Sequence, residues 1–137
     1  MLDFDRRNFL KTTAVAASAV AVSSAAPAFA AKSAPPLGVV YTKDQQGQWE
    51  GKAGSHAPEV RVEGGTITVL TAHPMTEAHF IVRHTVVLAD GTVIGGKTFS
   101  PTDKATSSFK LPKDYKGKVC ATSFCNKHDF WVTHFTV

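Results

Sequence analysis

Beyond residue 30 this chain has no long apolar run, no stretch of helical periodicity, no internal repeat and no low-complexity segment. A spanning helix, which needs about 20 predominantly apolar residues, is therefore excluded, and so is a helical bundle. Clustered positive charge is lacking too. The first thirty residues hold Arg6, Arg7 and Lys11 against Asp3 and Asp5, which leaves 12 basic and 9 acidic residues, a formal net of +3, in the remainder. Without a Lys/Arg stripe this mild excess does not describe a nucleic-acid binder. Taking 30 residues from 137 leaves 107, enough for one domain with its own core and too few for a second.

What those first thirty residues contain is an address. Asp5-Arg6-Arg7-Asn8-Phe9-Leu10-Lys11 carries a twin arginine, an Ala/Val/Ser-rich run follows from Thr12 to Ala26, and Ala28-Phe29-Ala30 offers a small-x-small cleavage site. The arrangement resembles a Tat export signal, with Asp5 where such signals more often have Ser. The run is too rich in Ala and Ser for a membrane anchor. Residues 1–30 are thus read as a signal, 31–53 as a leader and loop, and 54–137 as the functional part of a single mature domain. The expected location is the periplasm or another exported compartment, with no membrane association after cleavage.

Cysteine is scarce: only Cys120 and Cys125 are present. In an oxidising compartment a disulfide is the default expectation, but the spacing opposes it. Residues five apart on a strand lie about 16 Å apart, whereas bridged Cα atoms lie within about 7 Å, and odd spacing sends the two side chains to opposite faces. Cys120 is read as a small strand hydrophobe.

Strand signals fill the rest. Gly38 to Tyr41 reads as a short strand, and Lys43 to Gly54 as a polar loop containing Trp49. An edge-type strand follows His56, limited by Pro58. Gly64-Gly65 is a turn before β-branched Thr66 to Thr71. Phe80 to Leu88 and Thr92 to Phe99 flank an Asp90-Gly91 hairpin turn. Ala105 to Leu111, Lys118 to Phe124 and Phe130 to Val137 complete the set. Turns every eight to twelve residues predict an all-β fold, an immunoglobulin-like antiparallel β-sandwich of about seven strands.

Five residues at strand ends or in loops carry the candidate chemistry: His56 ahead of a strand, His73 and His79 at the two ends of one loop, and Cys125 with His128 in a Cys-x-x-His turn. His84 and His134 fall inside strand patterns and are read as packed or surface histidines. Four imidazoles with one thiolate do not describe a structural zinc site, which is four-coordinate and closed. Imidazole with thiolate suits iron, copper or zinc alike. Five ligands leave one octahedral position open, and an open position opposite an electron-donating thiolate suits redox chemistry on a small molecule.

His-x-Pro at 56–58, His-Pro-x-x-x-x-His at 73–79 and Cys-Asn-x-His followed by an aromatic strand at 125–131 resemble the iron domain of superoxide reductases, the neelaredoxin and desulfoferrodoxin family. The resemblance runs from about Gly54 to Val137. It implies an immunoglobulin-like sandwich and one iron per chain, with His56, His73, His79 and His128 equatorial and Cys125 axial. The implied activity is one-electron reduction of superoxide to hydrogen peroxide, with electrons from an external donor protein that no residue here names. The oligomeric state is left open, a homo-oligomer included.

The family commonly places Glu-Lys before its first ligand, where this chain has Gly54-Ser55. Lys127, inside the Cys-x-x-His turn, is the first candidate to supply the missing positive charge, and Lys52 the second. No cysteines remain for the rubredoxin-like domain that some members carry. A non-catalytic metal or electron carrier with the same five ligands is the alternative function.

Overall fold

The computed structural model describes residues 35–137; the signal reading lies outside the described residues. Eight strands are present among them: β1 (Val40–Tyr41), β2 (Glu59–Glu63), β3 (Thr66–Leu70), β4 (Ile81–Leu88), β5 (Val93–Thr98), β6 (Thr106–Lys110), β7 (Lys118–Cys125) and β8 (Asp129–Thr136). They form a five-stranded sheet in the order β1-β8-β7-β4-β5 and a three-stranded sheet in the order β2-β3-β6. The expected sandwich is therefore what the chain builds, with one exception to its antiparallel pairing. β1 runs parallel to β8, with Val40 opposite Phe130 and Tyr41 opposite Trp131.

Alternation explains the layers. In β3, Ile67 and Val69 are fully buried between exposed or half-buried neighbours, and in β7 Val119, Ala121, Ser123 and Cys125 all point inward. Ile67, Val69, Val86, Leu88, Val119 and Ala121 make the main core, each aliphatic side chain contributing about 1.5–3 kcal/mol on burial. A smaller cluster of Ile81, Phe99, Ala105 and Cys125 fills the end of the sandwich beneath the candidate ligands. A register shift in the β4–β7 pairing between Ile81 and Arg83 lets Ile81 and His84, three residues apart, both face inward.

Turn chemistry sets the registers. Gly64 and Gly65 have φ of 54° and 72°, so a two-residue turn joins Glu63 to its partner Thr66. Gly91, at φ 90°, donates its N–H to the Leu88 carbonyl in the Asp90-Gly91 turn. Two short helical turns depart from the sequence reading of a plain loop before residue 56. A 3-10 turn spans Gly47–Trp49, and a single α-turn, α1, spans Ala53–His56. Neither is long enough to show periodicity in sequence. Side-chain and backbone bonds hold them instead, with the Gln46 Oε1 accepting Ala53 N–H at 3.0 Å and the Trp49 carbonyl accepting Lys52 N–H at 3.0 Å. His56 is therefore the last residue of a helical turn rather than a loop residue.

Candidate metal centre

Five side chains converge at one end of the sandwich. His56 closes α1, whose Ala53 carbonyl accepts the Ala57 N–H, and Pro58 then turns the chain into β2. His73 and His79 stand on the loop between β3 and β4, which Thr76 pins by exchanging backbone bonds with His79 at 3.0 and 3.1 Å. Cys125 ends β7, and His128 sits in the three-residue turn to β8. Asp129, at φ 63°, takes the left-handed conformation that closes this hairpin opposite Cys125.

One potential ligand atom from each of His56, His73, His79, Cys125 and His128 lies within 4.8 Å of all the others. His128 Nδ1 is 3.0 Å from both His56 Nε2 and His79 Nε2, and His73 Nε2 is 3.1 Å from His79 Nε2. The rings follow one another around a circuit, 56 to 73 to 79 to 128, with neighbouring centroids 4.4–4.7 Å apart and mostly edge-on. His56 and His79 face each other across it at 5.9 Å. Cys125 Sγ lies 4.0 Å from His73 Nε2 and 3.7 Å from His128 Nδ1.

The donor set fits a cation. His56 Nδ1 lies 2.8 Å from Ser55 Oγ and 3.1 Å from the Lys52 carbonyl, and Ser55 gives its own hydroxyl proton to that carbonyl at 3.3 Å; both oxygens then accept, so Nδ1 carries the proton and Nε2 turns a bare lone pair toward the other rings. Three successive nitrogen spacings of 3.0–3.1 Å are those of donors about 2.2 Å from a shared centre, close to a metal–imidazole bond. Positive charge on the rings themselves is disfavoured. Burial first, then the neighbouring His73, brings the His56 pKa down to about 4, and burial followed by His79 lowers that of His73. His79 and His128 are lowered as well, by burial first and then by other positive groups, Lys127 and Lys52 among them. Neutral imidazole is the metal-binding form.

Surrounding residues hold the five candidate ligands at different depths. His56 is 3% exposed and Cys125 1%, whereas His79 and His128 are only half-buried. The side of the centre formed by His79 and His128 is therefore the accessible one, and it is the side on which the fields of Lys52 and Lys127 act. Lys127 is exposed and Lys52 half-buried. Trp131, fully buried, donates its indole N–H to the His128 carbonyl at 2.8 Å and lies against the His56 ring.

Two further contributors were not read from the sequence. Asn126 accepts the Phe80 N–H on Oδ1 at 3.0 Å and donates from Nδ2 to the Ala78 carbonyl at 3.2 Å, so the Cys-x-x-His turn is clamped to the backbone on both sides of His79. Trp49 stands edge-on to the His128 ring at 4.6 Å and donates to Asp129 Oδ2 at 3.0 Å, which ties the leader to the same turn. An Asn between Cys and His, and a lone Trp in a polar loop, were the signals available. His84 is buried in the core and His134 is exposed on β8, apart from the cluster. Cys120 and Cys125 are free. Cys120 is half-buried and faces outward opposite His134, with burial raising its thiol pKa.

An immunoglobulin-like sandwich carrying four histidines and a cysteine at one end defines a class of small β-proteins with a candidate metal site. Comparison narrows it. The family model described as desulfoferrodoxin matches residues 48–134, and this chain belongs to that family. Residues 3–23 match the twin-arginine translocation pathway signal sequence, which supports export by that route. A superoxide reductase (neelaredoxin) from Ignicoccus hospitalis superposes with a TM-score of 0.63 at 23% identity, over 72% of this chain and 93% of that one. A superoxide reductase (1Fe-SOR) from Giardia intestinalis does so with a TM-score of 0.55 at 21% identity, over 61% and 98%. One from Nanoarchaeum equitans gives 0.53 at 24% identity, over 61% and 94%. At these identities the likeness establishes the shared fold. Comparison with curated protein sequences returns no match.

Proposed function

We propose that this protein is an exported mononuclear iron oxidoreductase that reduces superoxide to hydrogen peroxide, with His56, His73, His79, His128 and Cys125 as its metal ligands. The convergence of those five donor atoms within 4.8 Å carries the reading. Membership of the desulfoferrodoxin family, and the superoxide reductases among its structural neighbours, support it. The iron would supply one-electron transfer to a small anion, with the thiolate donating charge to the metal.

The chain's own residues do the rest. Ser55 Oγ and the Lys52 carbonyl together fix the His56 tautomer. Burial keeps His56 and His73 neutral and ready to bind. Lys127, with Lys52, supplies the positive field on the accessible side, which draws a small anion toward the centre in place of the family's Glu-Lys pair. The reductant is a separate donor protein. Residues 1–30 are removed on export, and the mature domain 31–137, holding one iron, works in the periplasm.

Metal analysis with an optical spectrum of the oxidised protein, followed by pulse radiolysis, tests this reading. The expected results are one iron per chain, a thiolate-to-iron charge-transfer band and rapid oxidation of the ferrous protein by superoxide. Iron uptake without reaction would make the protein a metal or electron carrier. A Cys125→Ser protein that kept the same spectrum would remove the proposed centre altogether.

A further inference from the structure

His84 is 0% exposed, an unusual place for an imidazole, and both of its nitrogens are paired. Ser107 Oγ lies 2.9 Å from Nδ1 and Thr71 Oγ1 lies 2.9 Å from Nε2. Thr71 donates its single hydroxyl proton to Ser123 Oγ at 2.9 Å. It must then accept from His84, so the proton of the neutral ring is on Nε2 and Ser107 donates to Nδ1. The result is a directed chain, Ser107 to His84 to Thr71 to Ser123, that crosses between the two sheets through β6, β4, the end of β3 and β7. All four residues are buried, Ser123 completely. Buried polar chains of this kind specify one arrangement when every member is satisfied.

Thr71 is where that chain meets the metal-site loop. Its N–H donates to the Ala105 carbonyl at 2.9 Å, and its own carbonyl accepts the His73 N–H at 2.8 Å. Side chain, N–H and carbonyl of Thr71 are all engaged, two residues before a ligand. His73 needs such support. Its Nδ1 is the one buried side-chain nitrogen or oxygen with no hydrogen-bond partner among the described residues, although the nearby Pro74 carbonyl favours its protonated form. His56, by contrast, is held at its own Nδ1 by Ser55 Oγ and the Lys52 carbonyl. Ligand rings are ordinarily aimed by such a bond; at His73 the Pro74 carbonyl lies near without completing one, and the N–H bond to the Thr71 carbonyl holds the backbone that carries the ring.

We propose that His84 is a positioning residue of the metal centre, acting through the hydroxyl of Thr71 to fix the direction of His73. The proposal rests on the metal-centre reading but not on the identity of the substrate.

The test uses the full mature chain loaded with Co(II), comparing wild type with Thr71→Val, which keeps the shape and deletes the hydroxyl, Thr71→Ser, which restores it, and His84→Gln. The readouts are the cobalt ligand-field spectrum, the rate of metal loss to a chelator and the urea midpoint of each metal-free protein. Thr71→Val and His84→Gln are expected to shift the spectrum and speed metal loss about tenfold, as loss of an outer ligand support does. Thr71→Ser should return both to wild-type values. Should Thr71→Val fail to fold, Ser123→Ala, which removes only the acceptor at the end of the chain, should give a smaller shift in the same direction. Lowered urea midpoints with an unchanged cobalt spectrum and release rate would make the chain a fold element only and overturn the proposal. Wild-type protein that takes up no cobalt would instead overturn the metal-centre reading beneath it.

Discussion

Lowering the pH of the metal-free protein from 7.5 to 4.5 should weaken it through His84 in particular. Burial first, and the charge of Lys97 second, bring the pKa of this imidazole from 6.5 to about 4 in the folded state. Between those values the unfolded chain takes up a proton that the folded chain refuses, so stability rises with pH there and falls as the solution is acidified. At roughly 1.4 kcal/mol per pKa unit, His84 should cost about 2–3 kcal/mol at pH 4.5 and almost nothing at pH 7.5. That is a large share of the roughly 5–15 kcal/mol that holds a domain together. The lowered pKa values of His56, His73, His79 and His128 act with the same sign, so wild type alone does not isolate the effect. The assay is therefore urea unfolding, in chelator and thiol reductant, of wild type and His84→Gln across this pH range. The variant is expected to be the less stable at pH 7.5 because it leaves hydroxyls unpaired, with the gap narrowing by about 2–3 kcal/mol at pH 4.5, since only wild type has an imidazole at position 84 to protonate. Parallel curves over the whole range would show that His84 is not held neutral by the fold and would refute the reasoning.

Other outcomes follow from single contacts. Asn126→Ala removes two side-chain bonds to the backbone around His79; a loss of about 1–2 kcal/mol in urea unfolding is expected, with faster metal release to a chelator. A Lys52→Gln/Lys127→Gln double variant should slow superoxide oxidation of the ferrous protein about tenfold at low ionic strength and converge with wild type at high salt, as seen by pulse radiolysis. Gly95→Ala would drive a methyl into the Phe109 ring in the core, lowering stability by about 1–3 kcal/mol. Gly96→Ala meets only the movable end of Arg83 and should fall within about 0.5 kcal/mol of wild type, both by thermal or urea unfolding.

Strand positions were legible because alternation and turn residues are local signals. The β-branched run at 66–69, the Gly64-Gly65 turn and the Asp90-Gly91 turn each fall where the sequence puts them. The helical turn ending at His56 was not legible, since four residues cannot display a period and its first N–H is held by Gln46, seven residues earlier. Parallel pairing of β1 with β8 is likewise a tertiary outcome, joining segments some ninety residues apart in sequence. The five candidate ligands were readable from spacing. Their support was not, because Trp49 meets Asp129 across 80 residues and His84 meets Thr71 only when two sheets close on each other.

The separations along the chain give the cluster a mechanical meaning. His56 and His128 are 72 residues apart and His73 and Cys125 are 52 apart. An ion gripping all of them would act as a cross-link, and cross-links act most strongly on the unfolded chain, whose loops they shorten. Its hold would be greatest on the segment before β2, which is joined to the sandwich by the two-residue strand β1, by Trp49 and by His56 itself. Protease cleavage at Lys43 or Lys52 would then report, on a gel, whether the clasp is closed.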